Sequence, residues 1–294
     1  MTDSIAKSWN RFFHATTDGQ VYAVLRMGVS TCLLIYAIVL APNWLLWFSD
    51  SGIMSQEAGK ENIDPDTWSL LNLLPASPAV LWSVFGIFSL QSLLLLLGWK
   101  SRVQVVCLFI WILSFHHRNN LIWEGGDVLL RLTLFLMMFM PLGAKWSLDN
   151  LGKRAPHDHP IWPLKLLQLQ QSLLYLSSVL RKLQGEDWVN GTALYYAFRL
   201  DEFSGRIGTF RLSSDFLWIY QSLTWLAIAI ECLLIFGVWA PSIRRKVVII
   251  GLFFHLSLEL SMNLFLFQWL MILILSTHLI QRPRPFQGVG ASSS

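Results

Sequence analysis

Lys182 stands in Arg181-Lys182-Leu183-Gln184-Gly185-Glu186-Asp187-Trp188, where a long apolar stretch gives way to a polar one. An amine at such a boundary is partly desolvated and can serve as a general base. The bland use of the same position is a basic side chain that snorkels to a membrane surface. His255 and Glu259 lie four residues apart in another apolar run, on one helical face that Asn263 extends. A carboxylate at that spacing can orient an imidazole and hold its proton. A hydrogen bond between helices is the structural alternative, and two ligands are too few to define a metal site. Glu231, alone in a third run, calls for a proton or a cationic partner, for which Arg26 is one candidate.

A further constellation is Phe115-His116-His117-Arg118-Asn119-Asn120, followed by Glu124, Gly125, Gly126 and Asp127. His116, His117, Asn119 and Asn120 supply donors and acceptors that could line the mouth of a ligand pocket. The two histidines are adjacent, so they point to different faces of a helix and form no chelating pair. Asp127 and Arg131 have the spacing of an ion pair that would simply pin a helix start. Between residues 185 and 214, Trp188, Tyr195, Tyr196 and Phe198 recur at near-helical intervals, which suggests an interfacial helix.

The elements that carry these groups are apolar helices. Of 294 residues, 54% are hydrophobic and 14% charged, against about 25% charged in soluble domains. The expected fold is all-α, a polytopic transmembrane helical bundle of about eight spans, since about 20 apolar residues cross a bilayer. The runs are 22–47, 78–98, 103–118, 127–143, 161–180, 216–240, 246–263 and 266–281. The last two are divided only by Leu264 and Phe265 and read as a tight hairpin rather than one overlong helix. Gln168, Gln170 and Gln171 mark the fifth run as facing protein rather than lipid. Residues 1–281 form one membrane domain, and 282–294 read as a disordered tail.

Loop charge sets an orientation, because basic residues favour the cytoplasm. With both termini cytoplasmic, the inner segments hold Lys7, Arg11, Lys100, Arg102, Lys145, Lys153, Arg154, Lys165, Arg244, Arg245, Lys246, Arg282 and Arg284. The segment 48–77 on the other side carries Asp50, Glu57, Glu61, Asp64 and Asp66 against Lys60 alone. The Asn119 and Lys182 helix ends then both face the exoplasmic side, and a bacterial inner membrane is the expected location. The net charge of +4 is spread over short loops, and no nucleic-acid-binding motif is present. Cys32, Cys107 and Cys232 all fall inside apolar runs and suggest neither a disulfide framework nor a zinc site.

Three stretches, in order, resemble vitamin K-dependent γ-carboxylase and its bacterial relatives, the HTTM proteins. They are Leu113 through Asn120 with Trp146-Ser147-Leu148-Asp149, then Tyr175 through Gly191 with Lys182-Leu183 and Trp188, then Phe254-His255 with Phe267. The likeness spans roughly residues 20–280. It implies that Lys182 is the base that deprotonates a reduced vitamin K or related quinol, with His255 beside it. Asn119, Asn120, His116, His117, Trp188 and Glu259 would bind the quinone. Oxygen and CO2 would be co-substrates if carboxylation follows, and a membrane quinone would enter from the lipid bilayer. Two departures weigh against carboxylation: the large lumenal domain of the carboxylase has no counterpart here, and Leu121 stands where the eukaryotic run has a histidine.

Two readings therefore compete. One is a quinol-dependent epoxidase or carboxylase-like lyase. The other is a non-enzymatic membrane factor for maturation or export of a small secreted peptide, a setting that the resemblance to bacterial family members also implies. A transporter using Glu231, Glu259 and His255 ranks third, because paired broken helices and an inverted repeat are not visible.

Overall fold

The computed structural model describes residues 9–10, 12–62, 67–122, 124–153, 158–200, 213–262 and 264–284. Lys7, Arg11, Asp64, Asp66, Arg154, Asn263 and the chain beyond Arg284 lie outside them. The chain is helical and separates into two compact units, Met1–Pro163 with Arg282–Ser294, and Leu164–Gln281.

The first unit contains α1 (Gln20–Leu40), α2 (Trp44–Phe48), α3 (Gln56–Asn62), α4 (Pro78–Leu97), α5 (Ser101–Arg118) and α6 (Gly125–Met137). Each boundary has a local cause. Pro78 opens α4 where its missing N–H costs nothing. Gly98 closes that helix in the left-handed conformation, at φ +72°. Helix α6 starts with a capping box in which Glu124 and Asp127 each accept from the other's backbone. Helix α5 is capped from far along the chain: Asp149 accepts from the Lys100 and Ser101 backbone N–H groups at 2.6 and 2.9 Å.

This unit buries an aromatic cluster, with the Trp44 ring 4.4 Å from Phe48 and 5.2 Å from Phe115. It also buries two arginines. Arg26 donates to the carbonyls of Leu142 and Lys145 at 2.8 and 3.2 Å, and to that of Trp146. Arg118 donates to the carbonyls of Phe48 and Met54, both at 3.1 Å. Each guanidinium donates to more than one backbone carbonyl, and Arg118 Nη2 also lies 3.9 Å from Asp50 Oδ1. A short antiparallel pair, β1 (Thr16–Thr17) with β2 (His159–Pro160), completes the unit. Arg284 adds a backbone bridge to Thr16. Of the expected tail 282–294, only residues 282–284 are among the described residues.

The second unit contains most of α7 (Trp162–Lys182), then α8 (Glu186–Val189), α9 (Ala193–Ala197), α10 (Leu217–Gly237), α11 (Arg244–Met262) and α12 (Phe265–Ile280). Helices α11 and α12 turn back on each other around Leu264 and pack closely, as the tight-hairpin reading expects. A Cβ added at Gly251 would lie 2.7 Å from Leu234 Cδ2, so α11 approaches α10 closely there and a larger residue would require the leucine to shift. Gln168 donates to Thr277 Oγ1 and Gln171 to the Met271 carbonyl, each at 2.9 Å. The α7 glutamines do face protein, at these two positions.

Among the described residues, three helical stretches are long and apolar enough to cross a membrane, namely Gln20–Phe48 (α1 running into α2), Pro78–Leu97 and Leu217–Gly237. The other long apolar runs form helices too, shorter or more polar than these three. Helices α6 and α12 have 13 and 16 residues, fewer than the about 20 that cross hydrocarbon at right angles. Helix α5 ends in His116-His117-Arg118, α7 carries Lys165 and three glutamines, and α11 begins Arg244-Arg245-Lys246. Of the stretch 185–214, where a single interfacial helix was expected, the described residues 185–200 form two short helices, α8 and α9. Gly191, at φ +80°, breaks the chain between α8 and α9 and packs against Gln221.

Candidate functional site

Tyr175, Ser178 and Lys182 stand three and four residues apart on α7, so they share one face. Facing them is Glu231 of α10. Lys182 Nζ lies 2.6 Å from Glu231 Oε1, and the Ser178 hydroxyl donates to the same oxygen at 3.3 Å. The Lys182 ammonium also sits over the Trp188 ring, 4.6 Å from its centre, so the indole that follows Lys182 by six residues forms its lid. The partner of the mid-span glutamate is thus Lys182 and not Arg26, which is committed to backbone carbonyls. Glu231 Oε2 is buried and has no hydrogen-bond partner among the described residues. It leaves one acceptor available at the pair.

Two turns of α7 before Lys182, the Tyr175 hydroxyl lies 2.6 Å from His255 Nε2, and His255 Nδ1 lies 2.5 Å from Gln268 Oε1 on α12. A carbonyl oxygen only accepts, so Nδ1 carries the proton and Nε2 accepts from the phenol. The result is a three-member chain, Tyr175 to His255 to Gln268, drawn from three helices. Lys182 is within electrostatic reach of His255, and Glu231 of Tyr175. The chain and the ion pair form one cluster.

The expected role of Glu259 as the orienting group of His255 is corrected here. Both ring nitrogens are occupied by Tyr175 and Gln268, and the half-buried Glu259 accepts from Trp269 Nε1 at 3.3 Å instead. Gln268 holds the imidazole in its place. Nothing in the spacing of the chain pointed to Gln268, whereas Tyr175 lay inside the motif around Lys182.

His116, His117, Asn119 and Asn120 belong to the first unit. The two histidines do diverge. His116 Nε2 lies 3.3 Å from Asp127 Oδ1, while His117 Nδ1 donates to the Trp68 carbonyl at 2.8 Å and its Nε2 faces Arg131. Asn119 is fully buried, donates to the Trp47 carbonyl at 2.9 Å and accepts from the Leu121 N–H at 3.0 Å. Its amide braces the chain after α5. Asn120 is exposed. The Trp146-Ser147-Leu148-Asp149 stretch also has a structural job, since the Trp146 carbonyl receives Arg26 and its aspartate caps α5.

These features sit in a helical chain whose sequence matches the HTTM domain over residues 17–282, and the protein belongs to the HTTM family. It is 25% identical over 298 residues to the uncharacterized protein YitO of Bacillus subtilis, covering 95% of this chain and 91% of YitO. It is 24% identical over 204 residues to the sporulation-delaying protein SdpB of Bacillus subtilis, covering 64% of this chain and 62% of SdpB. No solved structure matches the chain.

Proposed function

We propose that this protein is a polytopic membrane factor of about eight spans that serves the maturation or export of a small secreted peptide. The observation that carries the reading is its likeness to a sporulation-delaying protein over 204 residues. The Lys182–Glu231 contact supports a role without base chemistry. A base must first give up its own proton, and this amine is held against a carboxylate at 2.6 Å beneath an indole. The five helices beyond the three apolar ones cross as packed members of the bundle, with their polar faces turned to protein. Both termini are cytoplasmic by the loop charges, and the Lys182 end of α7 faces outward. The test is deletion of the gene in its host, with mass spectrometry of small peptides in the culture medium. Loss of one mature peptide, restored by the wild-type gene, supports the reading; an unchanged peptide profile sinks it.

Quinol oxygenation is the second reading, and one observation favours it. Glu231 Oε2 is an unfilled buried acceptor next to Lys182, which suits a quinol hydroxyl. On this reading Lys182 takes the hydroxyl proton after passing its own to Glu231, with the Tyr175–His255–Gln268 chain fixing the wall behind them. Trp188 and Glu259 would complete the quinone contacts. Purified protein supplied with reduced vitamin K, oxygen and bicarbonate should then form epoxide. Absence of epoxide above a Lys182→Ala control excludes the reading for that quinol.

A further inference from the structure

A second polar cluster occupies the other end of α7, about 25 Å from Lys182 along the helix at 1.5 Å per residue. Lys165 Nζ donates to Gln168 Oε1 at 3.1 Å and to Gln281 Oε1 at 2.9 Å. It also lies 5.5 Å from the centre of the Trp239 ring. Trp239 donates to Ser172 Oγ at 2.9 Å and meets the His278 ring edge-on at 5.4 Å. Arg244, the first residue of α11, folds back on the Val238 carbonyl at 2.9 Å. The starts of α7 and α11 and the ends of α10 and α12 thus converge on one point of the second unit.

Hydrogen bonding at that point is incomplete among the described residues. His278 and Gln281 are only 4% and 6% exposed. Yet neither ring nitrogen of His278, nor Gln281 Nε2, has a hydrogen-bond partner among the described residues. Buried polar groups in native structures are almost always paired, with protein, water or a ligand. The charges that bear on His278 are both cationic, Lys165 and Arg244. Arg245 and Lys246 are exposed next to them. Uncapped buried donors beside two cations call for an acceptor that is also negative. Basic pockets between helices at a membrane surface hold lipid headgroups by this chemistry.

We infer that this end of the second unit binds a phosphate oxyanion, with Lys165 and Arg244 supplying charge and His278 and Gln281 Nε2 supplying hydrogen bonds. The phosphodiester of an anionic phospholipid and free phosphate share this chemistry. Lipid places its phosphate at the helix ends where the cluster lies, with Arg245 and Lys246 at the rim. The site is separate from the Lys182 cluster and does not depend on the function proposed for it.

Full-length protein in neutral detergent can be titrated with phosphatidylglycerol, phosphatidylcholine or inorganic phosphate and followed by native mass spectrometry and thermal unfolding. Phosphatidylglycerol should bind saturably, one molecule per chain, and phosphatidylcholine should not. Gln281→Glu keeps the side-chain shape but sets a carboxylate against the anion and should weaken binding by about tenfold or more. Arg244→Gln provides a second variant should Gln281→Glu not fold, and it should also weaken binding. Gln184→Glu, beyond the far end of α7, should bind as wild type does. Protection by inorganic phosphate in place of lipid would identify a free anion as the ligand and still support the site. Equal affinity for phosphatidylglycerol and phosphatidylcholine with no effect of phosphate would overturn it. So would wild-type affinity in both folded variants.

Discussion

Breaking the Lys182–Glu231 pair from either side should cost more than removing it whole. The two side chains are 17% and 9% exposed, and their charged atoms lie 2.6 Å apart. Removing one partner of a fully buried pair costs about 3–5 kcal/mol, because a desolvated charge is left behind. Here the cost falls to about 2 kcal/mol on each side, since Lys182 keeps the Trp188 face and an exit to the interface. Glu231 keeps only the Ser178 hydroxyl. Lys182→Met and Glu231→Leu combined leave no charge, so the double variant should lose only about 1 kcal/mol. The coupling between the two sites is then about 3 kcal/mol. Unfolding of the detergent-solubilised protein, followed by tryptophan fluorescence in a double-mutant cycle, measures it directly. Additive losses, with the double variant as unstable as both singles together, would refute the claim that this contact is a coupled ion pair.

Three other positions give independent checks. Asp149→Asn weakens the cap of α5 and should cost about 1–2 kcal/mol at neutral pH. Burial pushes the Asp149 carboxyl upward, but hydrogen bonds from Ser101 and Lys100 and the charge of Lys153 outweigh it and lower the value below the usual 3.8. Its contribution is therefore whole above that value and fades as pH falls through the lower folded-state one. The melting gap between wild type and Asp149→Asn should shrink on acidification; a constant gap would contradict this. Gly98→Ala sets a Cβ 2.4 Å from Ser147 Cβ and 2.7 Å from Arg26 Nη1, at φ +72°. The left-handed strain alone costs about 1–2 kcal/mol, so a melting temperature equal to wild type would show that residue 98 does not hold the left-handed conformation. Gln268→Leu strands the Nδ1 proton of His255 and should cost about 1–3 kcal/mol. Unchanged stability would mean that the amide does not hold the ring.

The helices were legible in the sequence because apolar runs bounded by Pro78, Gly98 and the basic loops state their own limits. Partners were not, because each polar group finds its mate on another helix. Glu231 meets Lys182 across 49 residues, and His255 meets Tyr175 across 80. Helical spacing offered Glu259 to His255, but spacing along one helix cannot compete with a neighbouring helix that delivers Gln268 at 2.5 Å. The Trp146–Asp149 stretch stood out by type without disclosing its use. Capping α5 and receiving Arg26 are tertiary tasks that no local pattern encodes. Gln281 and His278 were silent for the same reason: an apolar helix end shows no sign of donors left unpaired.

Peptide release by the charge-free pair variant tests the proposed function most directly. A strain whose only copy carries Lys182→Met with Glu231→Leu is grown beside wild type, with the protein level and its unfolding curve checked in membranes. The mature secreted peptide is then quantified in the medium by mass spectrometry. For a membrane factor without base chemistry, the folded double variant should release the peptide at the wild-type level. Loss of the peptide while the variant remains folded and abundant would contradict that reading and assign Lys182 a chemical role.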